Sequence, residues 1–158
     1  MKTERIELDE ADRRLLRALQ KDASLSQADL AEKAGVSPSL VSRRLTRLKE
    51  AGVLRGVVGL IDPKSAGLTC SAIIRIRLRD HSAPNVKMFH DLIKRMDEVT
   101  LCVMLTGEAD YLVKIIARDL PHFQEIIQSQ LLRCAAIAHL ESSIVLEHLK
   151  DTTALPID

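Results

Sequence analysis

The sequence predicts an α+β protein in two parts. A helical part covers residues 1–60, and after a linker at 61–68 a second part over 69–158 builds one antiparallel sheet with two helices. Two observations predict this. Apolar residues recur every three or four positions as far as Leu48, whereas from Thr69 to Arg79 they recur at every second position, which are the periods of helix and strand. The second part then runs through strand, helix and strand twice over, as a split βαβ arrangement requires.

Residues 1–8 read as a loose arm or a short strand. Asp9 suits the N-cap of a first helix whose apolar side holds Leu15, Leu16 and Leu19 with Ala11 or Ala18, and which ends at Lys21-Asp22. Its Arg13, Arg14 and Arg17 read as a solvated face. Ser26 followed three residues later by Asp29 has the pattern of a capping box, the Asp standing in for Glu or Gln. Leu30, Ala31 and Ala34 give that second helix a short apolar stripe, and Gly35 suits a left-handed helix end. Ser37 can cap the next helix, with Pro38 at its first position.

In this third helix Val41, Leu45 and Leu48 should face inward. At about 100° per residue, Ser39, Ser42, Arg43, Thr46 and Arg47 then lie on the opposite side, with Arg44 on the flank. Gly52 stops the helix, and Val53-Leu54 and Val57-Val58, separated by Arg55-Gly56, read as a short two-stranded wing. Two short helices joined by a tight turn, the second presenting hydroxyls and guanidinium groups, predict a winged helix-turn-helix that reads double-stranded DNA through the major groove. Arginine pairs bidentately with guanine edges, Ser and Thr contact several bases, and spare cations neutralise phosphates. The candidate DNA contacts are Ser37, Ser39, Ser42, Arg43, Arg44, Thr46 and Arg47, with Arg55 at the wing tip on a phosphate.

Composition agrees with a local rather than global basic surface. The net charge is only +1, yet from Arg43 to Arg55 five basic residues face a single acid, Glu50. One Tyr and two Phe are too few for nucleic-acid binding by aromatic stacking. The three cysteines, Cys70, Cys102 and Cys134, are odd in number and far apart, so they read as small buried hydrophobes rather than a disulfide or zinc framework. The five histidines are scattered, so neither a metal nor another cofactor is expected. No apolar run approaches the roughly 18 residues of a membrane span, and no signal peptide is recognisable, which predicts a cytoplasmic protein.

The linker contains Pro63, Ser65 and Gly67. In 69–79, Cys70, Ala72, Ile74, Ile76 and Leu78 share one face and Arg75, Arg77 and Arg79 the other, a strand pattern. Ser82 and Pro84 open a helix with Val86, Phe89, Leu92, Ile93 and Met96 as its buried stripe. Residues 99–105 are nearly all apolar, as in an inner strand. After a short connection at 106–110, residues 111–117 form another strand, Asp119 caps a helix carrying Leu120, Phe123, Ile126, Ile127 and Leu131, and a last strand runs over about 137–146. This βαββαβ order is ferredoxin-like, with both helices on one face. The other face needs a partner, for which Val103, Leu105, Val113, Ile115, Ile144 and Leu146 are the candidate surface. A homodimer formed by two such sheets face to face is the expected solution, and paired recognition helices suit pseudo-palindromic half-sites.

The whole chain, over about residues 5–155, resembles the Lrp/AsnC (feast/famine) family of bacterial and archaeal regulators. The matching stretches are Leu8-Asp9 with Asp12, Leu19-Gln20-Lys21-Asp22, Leu30-Ala31 with Gly35, Ser37-Pro38, Arg44, Arg47-Leu48, Gly52-Val53 and Thr106-Gly107-Glu108-Ala109-Asp110-Tyr111. Singly these are weak; in this order they are specific. The closing Thr152-Thr153-Ala154-Leu155-Pro156 also looks like members that answer to amino acids. The resemblance implies a transcription factor that forms dimers, often four to an octamer, with a small effector, usually an amino acid, bound where dimers meet.

The candidate effector residues implied are Thr106, Gly107, Glu108, Asp110, Tyr111 and Ser142. Gly107 allows close backbone approach, Asp110 suits an α-ammonium group, and Thr106 and Ser142 match pocket positions that suit a carboxylate. One departure stands out: Ala135-Ala136 replaces the family's common Pro-Gly before the last strand. The fold also resembles subunits of sirohaem decarboxylases, which makes a tetrapyrrole enzyme the alternative reading. A small amino-acid-binding protein that no longer binds DNA is a third. Dispersed histidines argue against the enzyme, and the intact basic helix face argues against both.

Overall fold

Three helices, α1 (Glu10–Lys21), α2 (Gln27–Ala34) and α3 (Pro38–Glu50), open the computed structural model, which describes residues 6–158. The expected arm at residues 1–8 lies largely outside the described residues. Asp9 caps α1, and Asp12 returns the bond, its carboxylate accepting from the Asp9 N–H at 3.2 Å. Ser26 and Asp29 form the expected capping box on α2. Gly35 takes φ +69°, a left-handed value at which a side chain would strain the turn into α3. Leu15, Leu30, Ala31, Ala34 and Val41 close the small core between the helices, with Leu48 fully buried beside it.

The expected wing is corrected. Gly52, at φ +71°, turns the chain out of α3, and Val53 and Leu54 donate back to the Leu48 carbonyl, but residues 53–60 form no strand. Arms of two residues make too few cross-strand bonds to hold a ribbon alone, and Val57 and Val58 stand exposed with no face to bury them. The chain divides into two compact units between Gly59 and Leu60, and Lys150–Asp158 belongs with the first. This differs from the expected 61–68 linker and 69–158 domain: the turn at 62–68 is tied into the second unit by Thr69, whose N–H donates to the Arg118 carbonyl.

The second unit is a four-stranded antiparallel sheet in the order β2-β3-β1-β4. Its strands are β1 (Cys70–Leu78), β2 (Val99–Met104), β3 (Tyr111–Ala117) and β4 (Ile137–Ile144). The helices α4 (Ala83–Ile93) and α5 (Leu120–Ile126) follow β1 and β3. Ala72, Ile74, Ile76, Val113, Ile115 and Phe89 form the centre of the core, all fully buried. α5 does not continue to Leu131 as one α-helix; it widens into a π-helical turn (Ile127–Leu131) that carries Leu131 into the core. Leu120, expected on the buried stripe, is exposed. Burial raises the thiol pKa of Cys70 and Cys102, which suits packing rather than redox chemistry.

Two further expectations change. β2 is an edge strand, not an inner one. Its apolar side chains on the helix-free face, Leu101 and Val103, are 44% and 38% exposed, so its apolar run marks an uncovered surface. The candidate surface is also redrawn by register. Val113 and Ile115 lie opposite Ile74 and Ala72 and point into the core; Ile144, the β4 partner of Ala72, is on that same side of the sheet but exposed at its end. The helix-free face instead carries Ile73, Leu112 and Ile116 beside Leu101 and Val103. Leu146 lies beyond β4, fully exposed.

Candidate DNA-reading face and ligand cavity

α3 is aimed by charge as well as by packing. Val41 and Leu48 are buried beneath it, so the turn of the helix leaves Ser39, Ser42, Arg43 and Thr46 exposed on the outer side. Among the described residues no ion pair engages Arg43. Ser37 sits at the N-cap but its side chain makes no capping bond; its Oγ meets that of Ser39 at 3.1 Å. Arg55 is exposed in the irregular stretch after α3 rather than at a wing tip.

Arg44 and Arg47 do something different from their neighbours. Arg44 Nη1 donates to Asp9 Oδ2 at 2.6 Å and to Asp12 Oδ1 at 2.8 Å, and Arg47 Nη2 donates to Asp12 Oδ2. The Asp12 side chain is fully buried, whereas Arg47 remains about half exposed at 47%. Two guanidinium groups from α3 therefore clasp one buried carboxylate of α1. This corrects the expectation that both arginines are simply DNA-facing. Arg44 is a brace, and Arg47 is a brace with an exposed edge. The Arg44 Nε is buried without a partner.

The brace is sensitive to acid. The Asp12 backbone N–H, and then the Arg44 guanidinium, hold the Asp9 carboxyl below its ordinary 3.8. A folded-state pKa below the unfolded one adds stability that is complete above the unfolded value and lost as pH falls through the folded one. The protection of the Leu16 and Val41 amides against hydrogen exchange, relative to an unfolded chain at the same pH, should therefore fall below about pH 4. Asp9→Asn should flatten that acid limb while leaving the second unit unchanged.

In the second unit a cavity of about 270 Å³ opens on the helix-free face. Its floor is β1 and β4, where register places Arg75 opposite Glu141 and Arg77 opposite His139. Its rim is the β2–β3 loop, with Leu105, Thr106, Glu108 and Ala109. Arg75 Nη2 donates to Glu141 Oε1 at 2.7 Å, an exposed pair. Cations and anions thus alternate around a partly apolar hollow.

The candidate effector residues separate here. Thr106 and Glu108 line the cavity. Gly107, at φ +124°, makes the turn that lifts them. Asp110 is spent on its own chain: Oδ2 accepts from the Leu78 N–H at 2.7 Å and Oδ1 meets His81 Nε2 at 2.9 Å. Burial pushes its carboxyl up, but those two partners outweigh it and leave the pKa low. Tyr111 is buried, its hydroxyl 2.9 Å from His90 Nε2. Ser142 lies opposite Ile74, on the other side of the sheet from the cavity, because side chains alternate along β4. Arg75, Arg77, His139 and Glu141 were absent from the candidate set. Alternation had put both arginines on one face, but nothing local reveals the β4 register that gathers the four. The Ala135-Ala136 departure still permits the turn, where Arg79 N–H donates to the Ala136 carbonyl at 2.9 Å.

A helix-turn-helix with an outward basic helix, joined to a ferredoxin-like sheet bearing a cavity, defines the class of DNA-binding regulators that carry a ligand-binding part. A family model described as winged helix-turn-helix DNA-binding matches residues 8–55, and one described as the Lrp/AsnC ligand binding domain matches residues 71–155. The transcriptional regulator AzlB of Bacillus subtilis is 36% identical over 153 residues, covering 97% of this chain and 98% of that protein. The DNA-binding transcriptional activator DecR of Escherichia coli K12 is 34% identical, covering 96% and 99%. Among solved structures, the Neisseria meningitidis regulator NMB0573 in complex with L-Met superposes with a TM-score of 0.92 at 34% identity, over 96% of this chain and 98% of that one. E. coli AsnC follows at 0.86 and 28%, over 94% and 99%. This chain belongs to the Lrp/AsnC family and is a transcriptional regulator. These relatives are named as regulators, not enzymes, and among the described residues no helix is long and apolar enough to cross a membrane.

Proposed function

We propose that the protein acts in the cytoplasm as a homodimer that reads pseudo-palindromic DNA, and that an amino acid bound in the Arg77–Glu108 cavity changes its assembly or its operator affinity. The observation that carries this is the outer side of α3. Ser39, Ser42, Arg43 and Thr46 stand exposed, on a helix braced from behind by a buried carboxylate. Specific DNA reading needs such a face, with donors held in place and uncommitted to the protein. Candidate contacts are these four with Ser37 and Arg55, and Arg47 contributes its exposed edge.

Effector chemistry follows from the cavity. An amino acid carries one carboxylate and one ammonium about two bonds apart; Arg77 suits the first and Glu108 the second, while Leu105 and Ala109 offer an apolar wall. The relative solved with L-Met supports this class of ligand. Dimerisation is supported by the uncovered face, where Leu101, Val103 and Leu105 are 44%, 38% and 37% exposed. By the family resemblance, four such dimers would make an octamer.

Fluorescence anisotropy with duplexes selected from a randomised library tests the DNA half. Affinity should fall linearly on a log–log plot against salt, as displaced counterions require; failure to select any sequence would sink the reading. Thermal shifts with each of the twenty amino acids test the ligand half. At least one should stabilise the wild type and lose that effect in Arg77→Ala and Glu108→Gln.

A further inference from the structure

The floor of the cavity is made of two cross-strand pairs between β1 and β4, and they are matched in opposite ways. Arg75 faces Glu141, and its guanidinium donates to that carboxylate at 2.7 Å. Two residues on, Arg77 faces His139. Both of these side chains line the cavity and both are exposed. A guanidinium only donates, and an imidazole donates through one nitrogen when neutral and through both when protonated. Among the described residues neither Arg77 nor His139 is held by a side-chain hydrogen bond or an ion pair.

Opposed side chains stabilise a sheet when they complement each other, and like charges so placed work against it. The Arg75–Glu141 pair is complementary within the protein. The Arg77–His139 pair has donors on both sides and no acceptor between them. With Cβ atoms about 5 Å apart across the strands, both heads can reach a single carboxylate, which supplies the acceptor that the sheet does not. The cavity's own carboxylates are placed elsewhere: Glu141 is taken by Arg75, and Glu108 stands on the loop at the rim.

We propose that His139 is a ligand-binding residue, seating the effector's carboxylate together with Arg77, and that effector binding takes up a proton there. This rests on the reading of the cavity as an amino-acid site given above. The charged groups facing His139 are Arg75 and Arg77 on β1, Glu141 on its own strand and Glu108 on the β2–β3 loop. Arg75 and Glu141 satisfy each other, and the ligand's ammonium satisfies Glu108. Binding therefore adds one negative charge beside the imidazole. A carboxylate in that position favours the imidazolium form, and a charged donor holds it more strongly than a neutral one. The proton comes from solvent, and no covalent bond of the ligand changes.

The test is calorimetric titration of the full-length protein with whichever of the twenty amino acids most raises its melting temperature. It is run in buffers of different ionisation enthalpy between about pH 5.5 and 8.5. The wild type should take up a fraction of a proton per ligand and bind about tenfold more tightly at the acid end of that range. His139→Asn keeps a donor for the carboxylate but cannot titrate, so it should bind with no proton uptake and a flat pH profile. His139→Ala lacks the donor and should bind more weakly at every pH, by roughly fivefold at the alkaline end. The carboxamide of the same amino acid offers no carboxylate, and the wild type should bind it weakly and without proton uptake. Because His139 is exposed, both variants should keep the wild-type hydrogen exchange at Ile76 and Val113.

Proton uptake equal in the wild type and His139→Asn overturns the proposal, as does a wild type that takes up none. So does an equal loss on the amino acid and its carboxamide in His139→Ala, which marks the residue as structural only. A wild type that none of the twenty stabilises, or that binds its ligand no better than Arg77→Ala does, removes the cavity reading and with it the role of His139. That result comes before any His139 variant is made.

Discussion

Asp12→Ala should destabilise the first unit by about 3 kcal/mol and abolish operator binding. The carboxylate is fully buried and accepts from Arg44, Arg47 and the Asp9 N–H. Removing it leaves the half-buried Arg44 guanidinium facing Asp9 alone and frees Arg47, at the contact that orients α3. Breaking a buried pair from one side typically costs about 3–5 kcal/mol because a charge is stranded. The lower end applies here, since Arg47 is half in water. Hydrogen exchange at Leu16 and Val41 reads the loss, and the second unit serves as the internal control. Asp12→Ala combined with Arg44→Met should recover part of it, because no buried cation is then left unpaired. If Asp12→Ala exchanges as slowly as the wild type, the clasp does not hold α3.

Arg43→Ala should weaken operator binding by about 10- to 100-fold, the 1–3 kcal/mol of one good base contact, with no change in hydrogen exchange. Its side chain is exposed on the outer side of α3, and no described ion pair holds it. Arg47→Ala provides the contrast. From the sequence alone the two substitutions look equivalent, both weakening DNA binding without unfolding. With Arg47 on Asp12, its loss should lower operator affinity and first-unit protection together. Anisotropy and exchange on the same samples separate the cases. Unchanged affinity in Arg43→Ala would mean that α3 does not read the groove with this side.

Much of the first unit was legible because its signals are local. The caps at Asp9 and Ser26, the left-handed Gly35 and the stop at Gly52 depend on residues within one helical turn of each other. The wing failed for a related reason: two apolar pairs look like strands, but a strand needs a face to lie on, and Val57 and Val58 have none. In the second unit, alternation placed Ala72, Ile74 and Ile76 inward and Arg75 and Arg77 outward as the structure has them. It could not say which strand lies at the edge, so the apolar β2 was read as an inner strand.

The site divides in the same way. By itself the sequence determined the elements, the outward set Ser39, Ser42, Arg43 and Thr46, and the loop that carries Thr106 and Glu108, because helical and strand periods and turn residues act over a few positions. Only the tertiary structure decided that Arg44 and Arg47 turn back to Asp12, more than thirty residues earlier. It also decided that Asp110 is spent on Leu78 and His81, that Ser142 faces away from the cavity, and that Glu141 and His139 complete it. Those outcomes depend on register and on which distant charge comes within hydrogen-bond reach, and neither is written in the spacing of residues along the chain.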